Sequence, residues 1–126
     1  MPKYIGKLTF RNFLSDNNDN FSIFSQTVNG KLLTEIDTQY LQVTYNYAEL
    51  FDSMINIRID YGQEYKLRKS SFLLDANGKK MQFYSFVDAS NFLFKNGFEY
   101  VDVKTIRNEN VNNDTYVYTF KKQSNK

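Results

Sequence analysis

The sequence predicts an α+β domain: a twisted antiparallel sheet of about six to eight strands with one helix, about residues 86–96, packed on one face. Three observations lead there. Thr, Val, Ile, Phe and Tyr supply 44 residues and Ala only three, a bias toward pleated, half-buried surface and away from helix. Several segments alternate apolar and polar residues with period two, and the period turns helical once, after Ser85. At 126 residues the chain has the length of roughly one domain, and no change in composition divides it. It is read as a single domain, 1–126, with residues 123–126 as a fraying tail.

The elements follow in chain order. Tyr4 to Phe10 and Phe21 to Val28 are strand candidates, separated by Ser15-Asp16-Asn17-Asn18-Asp19-Asn20, residues that bond their own backbone and favour turns. Asn29-Gly30 is a strong hairpin signal because both residues tolerate the positive φ of a type I′ turn. Lys31 to Ile36 is therefore expected to return beside Phe21 to Val28. Residues 39–48 form the next strand, with Leu41, Val43, Tyr45 and Tyr47 on one face. Met54 to Tyr61 is the clearest strand: Ile55, Ile57, Ile59 and Tyr61 alternate with Asn56, Arg58 and Asp60, which face water. Ala48 to Ser53 joins the two. Ser71 to Leu74, a turn over Asp75 to Lys80, and Met81 to Tyr84 read as strand, turn, strand.

The helix is bounded on both sides. Ser85 can accept a bond from a first-turn amide, with Asp88 three residues on, and Gly97 stands where a left-handed residue ends a helix. Phe86, Ala89, Leu93 and either Val87 or Phe94 should face inward. Phe98 to Ile106 and Thr115 to Lys121 are the closing strands, joined by a polar loop at Asn108 to Asp114.

Composition removes several functions at once. With no Cys and no His, disulfide scaffolds, thiolate nucleophiles, Cys/His zinc sites, Ser-His-Asp triads and imidazole switches are all excluded. Carboxylate, Lys or Tyr chemistry survives, or none. A net charge of +2 creates no strong overall field toward nucleic acid or anionic membrane. No stretch approaches the ~18 apolar residues of a membrane span, and Met1 to Lys7 has no apolar core for a signal peptide. The compartment stays open.

The second half carries a resemblance. Ile57-Arg58-Ile59-Asp60-Tyr61-Gly62-Gln63 is followed by Asp75-Ala76-Asn77-Gly78-Lys79-Lys80-Met81-Gln82-Phe83, by Ser85, Val87-Asp88-Ala89 and Asn91-Phe92-Leu93, then by Gly97-Phe98-Glu99-Tyr100-Val101 and Tyr116-Val117-Tyr118-Thr119-Phe120-Lys121-Lys122. Over residues 54–122 this order resembles a family of small uncharacterised, mostly exported Bacteroidetes proteins. Phe98 stands where that family has tryptophan, and Phe92-Leu93 where it has tyrosine-methionine. The resemblance implies a fold segment and a lineage, and it supplies no catalytic residue.

Candidate sites divide into four groups. Asp60 with Glu64, and Asp88 with Glu99 and Asp102, are the carboxylates nearest to an acid/base pair. Asp60 reads more simply as ordering the Tyr61-Gly62 turn, and Asp88 as facing the helix dipole. Asp16 to Asn20 is rich in oxygen but lacks the Gly and the terminal Glu of a calcium loop, so no metal or cofactor is expected. Lys66, Arg68 and Lys69 beside Tyr65 form a small basic patch, joined by Lys79, Lys80, Lys121 and Lys122, of the kind that tracks a single-stranded nucleic acid. Such lysines equally guard a sheet edge. Finally, Tyr45 and Tyr47 on one strand and Tyr116, Tyr118 and Phe120 on another form two rows at period two. Buried, they are cross-strand packing; half exposed, they are a ledge for a partner, since Tyr offers area and a hydroxyl at low entropic cost.

The sequence therefore leads to a non-enzymatic binding or accessory domain that contacts a protein or glycan through Tyr45, Tyr47, Tyr116 and Tyr118. The alternative is a weak single-stranded nucleic-acid module using Lys66, Arg68 and Lys69. Self-association is a further role the sequence leaves open.

Overall fold

The computed structural model describes residues 4–5, 7–8, 25–47, 53–107 and 114–124. Its elements are β1 (Tyr4–Ile5), β2 (Lys7–Leu8), β3 (Thr27–Val28), β4 (Lys31–Leu32), a 3-10 turn (Leu33–Glu35), β5 (Tyr40–Tyr47), β6 (Ile55–Asp60), α1 (Tyr65–Arg68), α2 (Phe86–Lys95), β7 (Phe98–Arg107) and β8 (Asp114–Lys122). The main sheet is antiparallel, in the order β6-β5-β8-β7, with β1-β2 and β3-β4 as separate two-stranded pairs. The antiparallel α+β architecture is thus the one the alternation predicts.

The main sheet has four strands, fewer than expected, because the short apolar runs around it pair only in passing. Ser71 to Leu74 crosses between two neighbours. It bridges β6 at Arg58↔Phe72 and β3 at Thr27↔Leu74, while Ile55↔Phe83 and Leu74↔Lys80 tie down the return. The Ile59 amide donates to the Ser71 carbonyl at 3.0 Å and the Leu73 amide to the Ile57 carbonyl at 3.1 Å. A segment shared between two partners satisfies its backbone without forming a regular ladder with either. Its turn is set by Asp75, whose Oδ1 accepts from the amides of Asn77 and Lys79.

This wrapping also changes the water-facing side expected of β6. Asn56 is only 7% exposed, and its Nδ2 donates to the Met81 carbonyl at 2.9 Å. The Arg58 guanidinium lies 4.7 Å from the Phe72 ring centre, and Lys80 reaches the same ring at 4.0 Å.

The upstream strands are shorter than the alternation suggests. β1 and β2 pair with each other antiparallel, Tyr4↔Leu8 and Ile5↔Lys7, and so are two short strands where one was expected. Of Phe21 to Val28 only Thr27 and Val28 are strand among the described residues, and Lys31 to Ile36 turns into 3-10 after Leu32. Phe21 to Phe24 and the oxygen-rich Asp16 to Asn20 lie outside the described residues. The Asn29-Gly30 turn forms as expected, with φ of 53° and 81°.

Helix α2 begins and ends where its signals stand. The Ser85 Oγ accepts from the Asp88 amide, and Asp88 accepts in turn from the Tyr84 amide. Gly97 follows with φ 97°, the left-handed conformation that frees the chain to start β7. Ala89 and Leu93 are fully buried and Phe86 and Phe92 pack against the core. Val87 and Phe94, each offered as a fourth inward residue, are exposed; Phe92 takes that place against Phe83. Gln123, placed in the fraying tail, is held instead: its amide donates to the Gly97 carbonyl and its Nε2 to the Phe94 carbonyl.

One core joins these parts: Val28, Leu33, Leu41, Val43, Ile55, Ile57, Ile59, Leu73, Phe83, Ala89, Leu93, Phe98 and Phe120 are all buried. Asn29 fixes the β3-β4 turn to the chain after β6. Its Nδ2 donates to the carbonyls of Leu67 and Ser70, and its Oδ1 accepts from Gln63 at 3.0 Å and from the Tyr61 hydroxyl at 3.3 Å. Gln63 also closes on Ile59 and Tyr61.

This hub can be separated from the turn. Asn29→Gly keeps the positive φ and removes the side chain, with an expected loss of about 1–2 kcal/mol in urea unfolding. Asn29→Ala adds left-handed strain of about 1 kcal/mol more. Equal losses in the two variants would show that the backbone conformation contributes nothing separable.

Candidate functional site

β5 pairs with β8 only from Tyr40↔Lys121 to Val43↔Tyr118. The face that carries Leu41, Val43, Tyr45 and Tyr47 on β5 continues through Phe120, Tyr118 and Tyr116 on β8. Leu41 and Phe120 are buried, and the Phe86 ring of α2 meets Phe120 edge-on at 6.2 Å. Outward from there the rows become aromatic and progressively exposed.

Where the ladder ends, the rings meet. Tyr45 and Tyr118 stack at 6.1 Å between centres, and Phe86, from the first turn of α2, lies on Tyr118 at 4.0 Å and on Tyr45 at 5.8 Å. Tyr47 meets Tyr45 edge-on at 6.4 Å, and Tyr100 of β7 reaches Tyr118 at 6.5 Å and Phe120 at 5.8 Å. The two tyrosine rows expected to abut do so at Tyr45 and Tyr118. Both of these are half-buried, whereas Tyr47 is 65% and Tyr116 51% exposed. The four tyrosines are therefore not equivalent. Tyr118 and Tyr45 are shared between core and surface, and Tyr47 and Tyr116 are surface alone. Tyr100, 47% exposed, extends the surface from β7, where it lies across from Phe120; Phe98-Glu99-Tyr100 alternates, but that β7 lies beside β8 on this side of the sheet has no local signature.

The hydroxyls gather as well. Burial pushes the Tyr118 hydroxyl above its ordinary pKa of 10.0; the neighbouring Tyr45 hydroxyl adds to this by charge and by hydrogen bonding, and Tyr100 and Tyr116 add by charge. The surface thus combines ring faces with polar oxygens, the pairing that contacts a sugar or a protein side chain.

The basic group lies elsewhere. Lys66 and Arg68 are in α1 and Lys69 follows it, beyond the end of β6 at Asp60, whereas Tyr45 and Tyr47 sit beside its beginning at Ile57 and Ile55. The fold does not bring the two candidate groups together. Arg68 and Lys69 both lie over the Tyr65 ring, at 5.4 and 5.3 Å, and Arg68 is 3.7 Å from Asp60. Arg68 and Lys69 are thus already engaged with groups of their own chain, while the Tyr65 ring itself stays 64% exposed.

The carboxylates are dispersed. Asp60 Oδ1 accepts from the Gly62 amide at 2.9 Å, which is the turn-ordering role; Glu64 stands at the start of α1; Asp88 accepts at the first turn of α2. Glu99 and Asp102 are exposed on β7. Among the described residues no three His, Cys, Asp or Glu gather as a metal site, and no helix is long and apolar enough to cross a membrane.

The graded exposure makes two expectations. Tyr118→Ala should cost about 2–3 kcal/mol by denaturant unfolding, below the ~3–5 kcal/mol for a fully packed ring because Tyr118 is half-buried, and Tyr116→Ala under ~0.5 kcal/mol; equal costs would contradict the gradient. The second concerns alkaline pH. Below the unfolded-state pKa of 10.0 the tyrosine contribution is constant. As pH rises past it the unfolded chain loses the proton first, so stability falls until pH passes the higher folded value. Tyr118→Phe should make that alkaline decline shallower than in the wild type.

Comparison of the chain with protein-family models, with curated proteins and with solved structures gives no match.

Proposed function

We propose that this chain is a non-enzymatic binding or accessory domain that contacts a protein or glycan through the tyrosine-bearing face of its sheet. The observation that carries this reading is the gradient from Phe86-Tyr118 to Tyr47 and Tyr116. Tyr47 meets Tyr45, which is itself stacked with Tyr118 and Phe86, and Tyr116 is placed by its backbone pairing with Thr105 of β7. A pre-positioned ring loses little freedom on binding, so its area is available for affinity. Tyr116 and Tyr47 supply contact area, and the hydroxyls of Tyr45, Tyr100 and Tyr118 supply hydrogen bonds. Two aspects of the chain support a binding role over a catalytic one: the absence of His and Cys, and the engagement of the candidate carboxylates Asp60 and Asp88 in a turn and a helix start. The order and spacing of the motifs in residues 54–122 lead us to propose, for that stretch, a common lineage with small, mostly exported Bacteroidetes proteins.

The basic patch is the weaker candidate, since Arg68 and Lys69 are engaged with Tyr65 and Asp60.

The test uses soluble polysaccharides of differing linkage for the glycan arm, followed by calorimetry. For the protein arm, a photo-crosslinker is placed at position 47. Whichever arm gives saturable binding, Tyr47→Ala with Tyr116→Ala should weaken it by about tenfold or more, corresponding to loss of two contact rings, with unfolding unchanged. Triple replacement of Lys66, Arg68 and Lys69 by Ala should have little effect. Binding that survives the tyrosine changes and fails with the basic ones would overturn the reading in favour of a charged surface.

A further inference from the structure

β7 is the last strand of the main sheet, and among the described residues nothing pairs with its outer edge. The opposite edge differs: β6 is covered by the crossing segment at Ser71, Leu73 and Phe83. From Glu99 to Arg107 every residue of β7 is exposed, including Val101, Val103 and Ile106, which carry large apolar side chains into solvent. A long edge of this kind is a template for another strand.

The sequence of β7 indicates which strand. Two antiparallel copies of one strand related by a two-fold axis place residues that share a face directly opposite each other. The axis must therefore pass through one residue of the regular stretch Asp102 to Arg107. An axis at Asp102 opposes two aspartates, and one at Lys104 opposes two lysines. An axis at Arg107 opposes two arginines, and one at Thr105 or Ile106 aligns no opposite charges. At Val103 alone the pattern is self-complementary. Val103 meets Val103 on the face that bears the helix, and on the other face Asp102 of each copy lies opposite Lys104 of the other. Within its own sheet Asp102 faces Thr119 and Lys104 faces Val117, so neither charge has an opposite charge across from it on β8.

We infer that the outer edge of β7 is a homodimer interface, in which two copies join antiparallel about Val103 with reciprocal Asp102–Lys104 pairs, merging their sheets into one. The irregularity between Tyr100 and Asp102 and the lysine are the devices that usually blunt an edge. Here the irregularity lies outside the stretch that sets the register, and the lysine faces an aspartate. Because the axis is perpendicular to the sheet, both copies present their tyrosine-bearing faces on the same side. The inference does not depend on what those faces bind. A short edge-to-edge ladder buries little area, so association is expected to be concentration-dependent and reversible.

Sedimentation of the full chain from dilute to near-millimolar concentration tests this, with folding checked by circular dichroism. The wild type should pass from monomer to dimer. Asp102→Lys and Lys104→Asp, both at exposed positions, should each weaken the dimer by about tenfold or more, because each replaces two attractive cross-strand pairs by repulsive ones. Mixing these two variants should restore it, since one copy then carries lysine at both positions and the other carries aspartate at both, so that every cross-strand pair is again attractive. A wild type that stays monomeric throughout overturns the inference. So do single variants that dimerise as the wild type does, or a mixture that associates no better than its components.

Discussion

The two halves of this sheet meet at a short ladder, from Tyr40↔Lys121 to Val43↔Tyr118, and the Phe86 ring lies on Tyr118 at its end. On one side β5 and β6 carry Ile55, Ile57 and Ile59, with the crossing segment wrapped over the far edge. On the other side β7 and β8 form a longer ribbon whose tip shares no pairing with β5. The ladder's own hydrogen bonds are few, so the joint depends on rings packed over it. Offset-stacked and edge-on pairs are worth about 0.5–1.5 kcal/mol each beyond the area they bury. Leu41 and Phe120, buried along the ladder, and Tyr45, Phe86 and Tyr118 at its end make one continuous seam on a single face of the sheet.

That joint determines what the surface tyrosines can be. In a sheet fully laddered along its length, Tyr116 would face Tyr45 across the strands and both would be packing residues. Here the pairing stops at Tyr118, and no ring contact links Tyr116 to Tyr45 or Tyr47 among the described residues. The outer rings therefore keep their faces, while their backbones are fixed by β6 and β7. A structural seam and a contact surface are thus two ends of one row. Removing an inner ring and removing an outer ring are different experiments although the residue type is the same.

How much of this is legible in the sequence depends on what each signal measures. β5, β6 and α2 fall within a residue or two of their expected limits, because period two, the Ser85 cap and Gly97 all report local backbone preferences that the fold keeps. Alternation reads the crossing segment as a regular hairpin, and the structure does not form one. Apolar runs of four residues say that a segment is buried, but not that its hydrogen bonds are divided between β3 and β6. Asn29 is legible for its turn alone; that its side chain also gathers Tyr61, Gln63, Leu67 and Ser70 is a tertiary fact with no local signature. Val87 and Phe94 fail as inward residues for a related reason. The stripe of α2 is centred on Ala89 and Leu93, where a small residue lets the helix approach the sheet, and that places Phe92 inward instead. The tyrosine rows are visible as alternation, but their division into seam and surface requires knowing where the β5-β8 ladder ends.

The choice of Tyr over Phe along the seam carries the last step. Phe120, fully enclosed, has no hydroxyl to satisfy. Tyr118, next along the strand on the same face, has its hydroxyl near that of Tyr45, with Tyr100 and Tyr116 close enough to raise its pKa. A hydroxyl there gains one partner and leaves further donor and acceptor capacity facing solvent. For packing alone Phe would serve at Tyr45 and Tyr118 without desolvating a polar group. The change from Phe to Tyr occurs where the seam reaches the surface, so the ring fills the joint while its oxygen remains available. That position lets one side chain hold the two halves of the sheet together and present a hydrogen-bonding edge to whatever covers the face.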